Sequence, residues 1–100
     1  MNTYVIRRRE AWKDAGELEA TATRSKEVAE SDFPDDIRWI RSYVIAEPAG
    51  TLGTICIYQA SNPEAVRNHA ERVDMPADEI LEVADTVVIR PDPQPEQASV

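Results

Sequence analysis

The sequence holds one cysteine, one histidine and three scattered glycines, and no apolar run approaches the ~20 residues that span a bilayer. Each shortage removes a class of function. A lone Cys56 cannot close an internal disulfide, and its apolar setting suits a reducing cytoplasm, where a small buried thiol is ordinary. Scattered glycines build no phosphate-cradling loop, so neither nucleotide nor flavin is expected. One histidine gives no basis for a Ser-His-Asp arrangement. No export signal is visible, because the N-terminus is charged by Arg7 with no apolar core behind it. Bases are also scarce: 11 Lys and Arg stand against 19 Asp and Glu, a formal charge of −8. Such a surface repels phosphate backbones and anionic membranes alike, so neither nucleic acid nor membrane is an expected partner. The run Arg7, Arg8, Arg9 leads into Glu10 and Asp14 and reads as a solvated strand end. The acidic pairs Asp35–Asp36 and Asp78–Glu79 read as loop charge. The expected location is cytoplasmic.

The residues that are present alternate between strand and helix periods. Thr3 to Ile6 predicts a strand whose arginines then leave for solvent. Gly16 to Glu30 lacks proline, and Leu18, Ala22, Ser25 and Ala29 recur at helical spacing. Pro34 ends that helix. Ile37 to Ala46 and Thr51 to Ala60 predict a hairpin around Glu47-Pro48-Ala49-Gly50, with Trp39 and Tyr43 on one face of its first strand. Asn62-Pro63 caps a second helix to about Val73, with Val66, Ala70 and Val73 inward and His69 on the adjoining edge. Ile80 to Ile89 predicts the last strand, and residues 92–100, rich in proline, a disordered tail after a domain of residues 1–91. The order strand, helix, strand, strand, helix, strand implies an α+β, ferredoxin-like βαββαβ sandwich: a four-stranded antiparallel sheet with both helices on one face. Trp39, Tyr43, Cys56 and Tyr58 are expected on the helix-free face. Water does not tolerate such a face bare, so a homodimer paired through it is expected.

Several segments carry a resemblance: Trp39-Ile40-x-Ser42-Tyr43-Val44, Cys56-Ile57-Tyr58-x-Ala60, and Pro63 to Ala70 with Pro76. They resemble the small bacterial nickel-binding ferredoxin-like proteins, often filed as a domain of unknown function. That resemblance implies a dimeric binding protein with capacity for nickel or another transition metal. A late transition metal wants imidazole, thiolate or carboxylate donors converging on one point, and the candidate metal ligands here are His69 and Cys56. The alternative is a cofactor-free small enzyme or small-molecule binder. Trp39, Tyr43, Cys56, Tyr58 and His69 would then wall a cavity between sheets, with His69 as acid or base and a tyrosine as donor. Dimeric sandwiches of this shape resemble the dimeric α/β-barrel monooxygenases and cyclases, an analogy of fold alone.

Overall fold

The computed structural model describes residues 1–93; residues 94–100, most of the expected tail, lie outside the described residues. Six elements follow in the expected order: β1 (Asn2–Trp12), α1 (Ala15–Asp32), β2 (Ile37–Ala46), β3 (Leu52–Ala60), α2 (Pro63–Val73) and β4 (Glu79–Glu82). They form one antiparallel sheet in the order β2-β3-β1-β4, the ferredoxin-like arrangement.

Local chemistry sets the helix ends. Asp14 caps α1 by accepting from the Glu17 amide at 2.9 Å, and Asn62 caps α2 by accepting from the Ala65 amide at 2.8 Å. Pro63 occupies the first turn of α2, and Asp74 ends the helix in the left-handed region (φ 61°). Both helices lay small residues on one face of the sheet. Ala29 from α1 and Ala65 and Val66 from α2 pack on Tyr4 and Ile6 of β1 and on Cys56, Tyr58 and Ala60 of β3. Among the described residues no helix is long and apolar enough to cross a membrane.

Three departures from the expected layout position the site. First, β1 does not release its arginines but runs on through them to Trp12. Alternation continues, so Tyr4, Ile6 and then Arg8 point beneath the helices, and Arg8 is 1 % exposed rather than solvated. Arg7, facing the other way, pairs with Glu47 (3.1 and 3.2 Å). The same carboxylate accepts from the Glu10 amide at 2.8 Å, where β1 bulges through a positive φ of 48°. That amide bond, reinforced by Arg7, holds the Glu47 carboxyl below its ordinary 4.5.

Second, β2 carries a bulge. Trp39 lies opposite Tyr58 and Arg41 opposite Ile57, so Ile40 is an extra residue. One inserted residue inverts the alternation beyond it. Trp39 therefore shares the helix-covered face with Ser42 and Val44, while Tyr43 turns to the opposite side. The expected face is corrected accordingly: Trp39, Cys56 and Tyr58 lie beneath the helices, and Tyr43 alone of the four lies on the helix-free side.

Third, β4 stops at Glu82 rather than Ile89. Its antiparallel neighbour β1 begins at Asn2, and after the Val83 amide bonds the Thr3 carbonyl (2.8 Å) there is almost no partner strand left. The following segment, including Val87 to Ile89, instead lines a groove on the helix-free face with Val5, Tyr43 and Ile57. Asp92 fastens it there, accepting from the Tyr43 hydroxyl at 2.7 Å and pairing with Arg41.

A candidate ligand cavity beneath the first helix

The N-terminal half of α1 crosses the sheet at the end where β1 and the β2–β3 hairpin meet, beyond the reach of α2. Its inward side chains there are Leu18, Thr21, Ala22 and Ser25, three of them small, and a cavity of about 360 Å³ remains between helix and sheet. Trp12 and Trp39 wall it. Each indole N–H is satisfied locally, Trp12 donating to the Thr21 hydroxyl (2.9 Å) and Trp39 to the Ser42 hydroxyl (2.8 Å), so both rings are held in place.

The floor is a row of short polar side chains. The bulge brings Ser42 opposite Cys56 on β3. Ser42 donates to the Cys56 sulfur at 3.0 Å, and the thiol donates in turn to the Thr54 hydroxyl at 3.3 Å. A relay thus runs from Trp39 through Ser42 and Cys56 to Thr54, one orientation for each hydroxyl. Tyr58 stacks on Trp39 (6.2 Å between centroids, 27°) and sets its hydroxyl 3.4 Å from Ser25 Oγ. Burial, the leading cause, pushes the Tyr58 phenol above its ordinary 10.0, so it is a neutral hydrogen-bonding group at physiological pH.

Arg8 reaches the same space. Its Nε, Nη1 and Nη2 are buried, and none makes a well-formed hydrogen bond among the described residues; the neutral Tyr58 hydroxyl is the polar group beside the guanidinium, and no anion pairs with it. Its guanidinium carbon sits 5.9 Å from the centre of the Tyr58 ring, a cation–π contact that offsets part of the lost hydration. Glu19, the acid among the lining residues, is exposed and makes no ion pair with it. Neither Arg8 nor Trp12 stands out in the sequence as a site residue. The usable signal is the period-two alternation Tyr4, Ile6, Arg8, which continues straight through the basic run.

His69 does not line this cavity. It is fully buried rather than at an edge, with its ring 5.7 Å from Tyr58 and edge-on to Phe33 at 5.9 Å. Nε2 lies 3.0 Å from the Ser25 carbonyl, which can only accept, so that nitrogen carries the proton. Nδ1 is left as a buried lone pair without a partner among the described residues. Desolvation lowers the His69 pKa below its ordinary 6.5. The two expected metal ligands thus sit differently: Cys56 on the cavity floor with its thiol engaged, His69 in the core behind it.

A nickel ion needs several such donors around one point, and no group of three or more His, Cys, Asp or Glu converges among the described residues. One imidazole lone pair and one hydrogen-bonded thiol do not make a nickel site within a single chain.

An α+β sandwich with this strand order defines the class of small ferredoxin-like proteins. Within it, the chain belongs to the family of nickel responsive SCO4226-like proteins, whose model matches residues 4–83. The crystal structure of SCO4226 from Streptomyces coelicolor A3(2) is similar in fold. It superposes with a TM-score of 0.67 over 85 % of this chain and 99 % of that one, at 21 % identity. No curated protein matches the chain.

Proposed function

We propose that this chain is a binding protein for a small organic molecule, held in the cavity between α1 and the sheet. One observation supports the reading above all: an apolar space of about 360 Å³, walled by two tryptophans, over a floor of convergent hydroxyl, thiol and phenol groups. That combination of apolar bulk with a few oriented polar atoms is what a small-ligand site requires. Trp12 and Trp39 are the only tryptophans of the chain, so their fluorescence reports on the cavity, with Trp39 also touching a second groove beside Ile37 and Arg38. Titration with small aromatic compounds should shift the emission saturably. Ala22→Phe, which fills the space from the helix side, should abolish the shift while leaving the circular dichroism spectrum intact. A shift that survives Ala22→Phe places binding elsewhere and refutes the reading.

The family's description favours a second reading, in which this chain takes up nickel. His69 Nδ1 is a buried nitrogen lone pair without a partner among the described residues, the one imidazole donor a metal could use. Calorimetric titration with nickel chloride of the wild type and His69→Gln tests it. Absence of heat in the wild type removes the reading, and heat unchanged by the substitution removes His69 from it. Pairing of two subunits through the helix-free face is the third element of the proposal. Its support is not a ring-lined sheet but Ile40, Tyr43 and Leu81, each more than two-fifths exposed, with Val87, Val88 and Ile89 of the overlying segment. Sedimentation equilibrium showing a single 11.2 kDa species would end it.

A further inference from the structure

From the orphaned guanidinium of Arg8 we infer that the cavity is selective for a small monoanion, a carboxylate on a flat apolar body. The inference rests on the reading of the cavity as the binding site and adds the chemistry of its occupant. Arg8 is 1 % exposed, and all three of its side-chain nitrogens are buried without a partner among the described residues. A guanidinium is a permanent cation, and burying one unpaired is among the costliest things a fold does. The usual compensation is a carboxylate or phosphate on its planar fork. No acidic side chain among the described residues supplies it. Arg8 borders the cavity with its nitrogens covered, so an entering anion pairs with the fork once a neighbouring side chain of the lining shifts aside.

The lining decides which anion. Arg8 is the sole base among the residues that line the cavity, so one negative charge is matched and a second is not. Glu19, the acid of the lining, repels any surplus. A phosphate dianion is therefore disfavoured against a carboxylate. The walls, with Trp12 and Trp39 facing a space that also meets Leu18 and Met75, suit a flat apolar or aromatic group behind the charged end. Thr54, directly opposite Arg8 across β1 and β3, adds a hydroxyl to the same lining.

The test compares phenylacetate with phenylacetamide, equal in shape and differing in charge, and both with inorganic phosphate, using the full chain and the tryptophan signal. Charge-assisted bonds to a buried fork predict that the acid binds about tenfold or more tighter than the amide. Arg8→Met should equalise the two, and Glu19→Gln, an exposed change that leaves the core untouched, should tighten the acid while leaving the amide unchanged. Equal binding of acid and amide by the wild type overturns the inference while the cavity reading stands. Failure of both to bind overturns inference and reading together. Phosphate binding tighter than phenylacetate overturns the choice of a monoanion. If Arg8→Met fails to fold, the Glu19→Gln comparison decides: no gain for the acid counts against the inference.

Discussion

Replacing Arg8 by methionine should make the ligand-free protein more stable. The side chain to be removed is fully buried, with three nitrogens that have given up water and gained no hydrogen bond among the described residues. Methionine keeps most of the aliphatic stem, fills the same row beneath α1 and carries no charge. Exchanging buried ions for apolar residues of similar volume gains about 1–4 kcal/mol in systems where it has been measured. Against that gain, the substitution removes the cation–π attraction between Arg8 and the Tyr58 ring, at 5.9 Å, worth about 0.5–2 kcal/mol. Taking the middle of each range, the balance is a net gain of about 1 kcal/mol. In a domain of this length that is an upward shift of about 4–8 °C in melting temperature. Thermal and urea denaturation of both proteins in a buffer free of organic anions provide the measurement. Adding phenylacetate should then raise the wild-type melting temperature more than the variant's, since the charge-assisted part of the binding belongs to the wild type alone. A variant that melts lower than the wild type would mean that Arg8 is already satisfied in solution, and the case for an anion partner would fall with it.

Separate parts of the molecule give three more expected outcomes. Burial lowers the pKa of His69 below 6.5, so the unfolded chain takes up a proton that the folded chain refuses; stability is whole above 6.5 and falls as pH drops below it, with a slope approaching about 1.4 kcal/mol per pH unit, one proton's worth. Urea melts between pH 5 and 6.5 should show that slope in the wild type and lose it in His69→Gln; a flat wild-type profile refutes the protonation state assigned to the buried ring. Gly53→Ala should destabilise the fold, by about 1–3 kcal/mol in urea melts, because the new methyl carbon would stand 2.5 Å from the Arg8 carbonyl oxygen and closer still to the Glu47 carboxylate; a neutral substitution would mean that β1 and β3 part more easily than their ladder implies. Tyr43→Phe removes the hydroxyl that donates to Asp92 and, since exposed pairs contribute little to global stability, should speed amide exchange over residues 85–92 with almost no change in melting temperature. Unchanged exchange would show that the segment is held by its apolar residues alone.

The fold is legible in the sequence because its signals are local. Asn62-Pro63 marks the start of α2, Pro34 the end of α1, and two β-branched runs around Pro48 and Gly50 make a hairpin. The site is only half legible, and each miss traces to a long-range cause. The charge of Arg8 points to solvent, but strand alternation, enforced by pairing with both β3 and β4 through Arg7, carries it inward. The helical period of α2 alone puts His69 on an edge; the Ser25 carbonyl of α1 and the rings of Phe33 and Tyr58 enclose it. The extent of β4 depends on where its neighbour begins, which its own sequence does not encode.

The bulge at Ile40 shows how much one such feature decides. Without the extra residue, pairing would continue from Trp39–Tyr58 to Ile40–Ile57, Arg41 would oppose Cys56 and Tyr43 would oppose Thr54. A second arginine and a phenol would then fill the space beneath α1. With the residue present, Ser42 takes the place opposite Cys56 and Val44 the place opposite Thr54, both smaller than the side chains they displace. The cavity, the Trp39–Ser42–Cys56–Thr54 relay and the single positive charge of the lining are therefore consequences of one inserted residue. The same insertion sends Arg41 and Tyr43 to the helix-free face, where they hold Asp92. Bulges redirect side chains at a cost in ladder hydrogen bonds, and here the redirection leaves a half-open cavity bordered by Arg8 on one face and a latch for the C-terminal segment on the other.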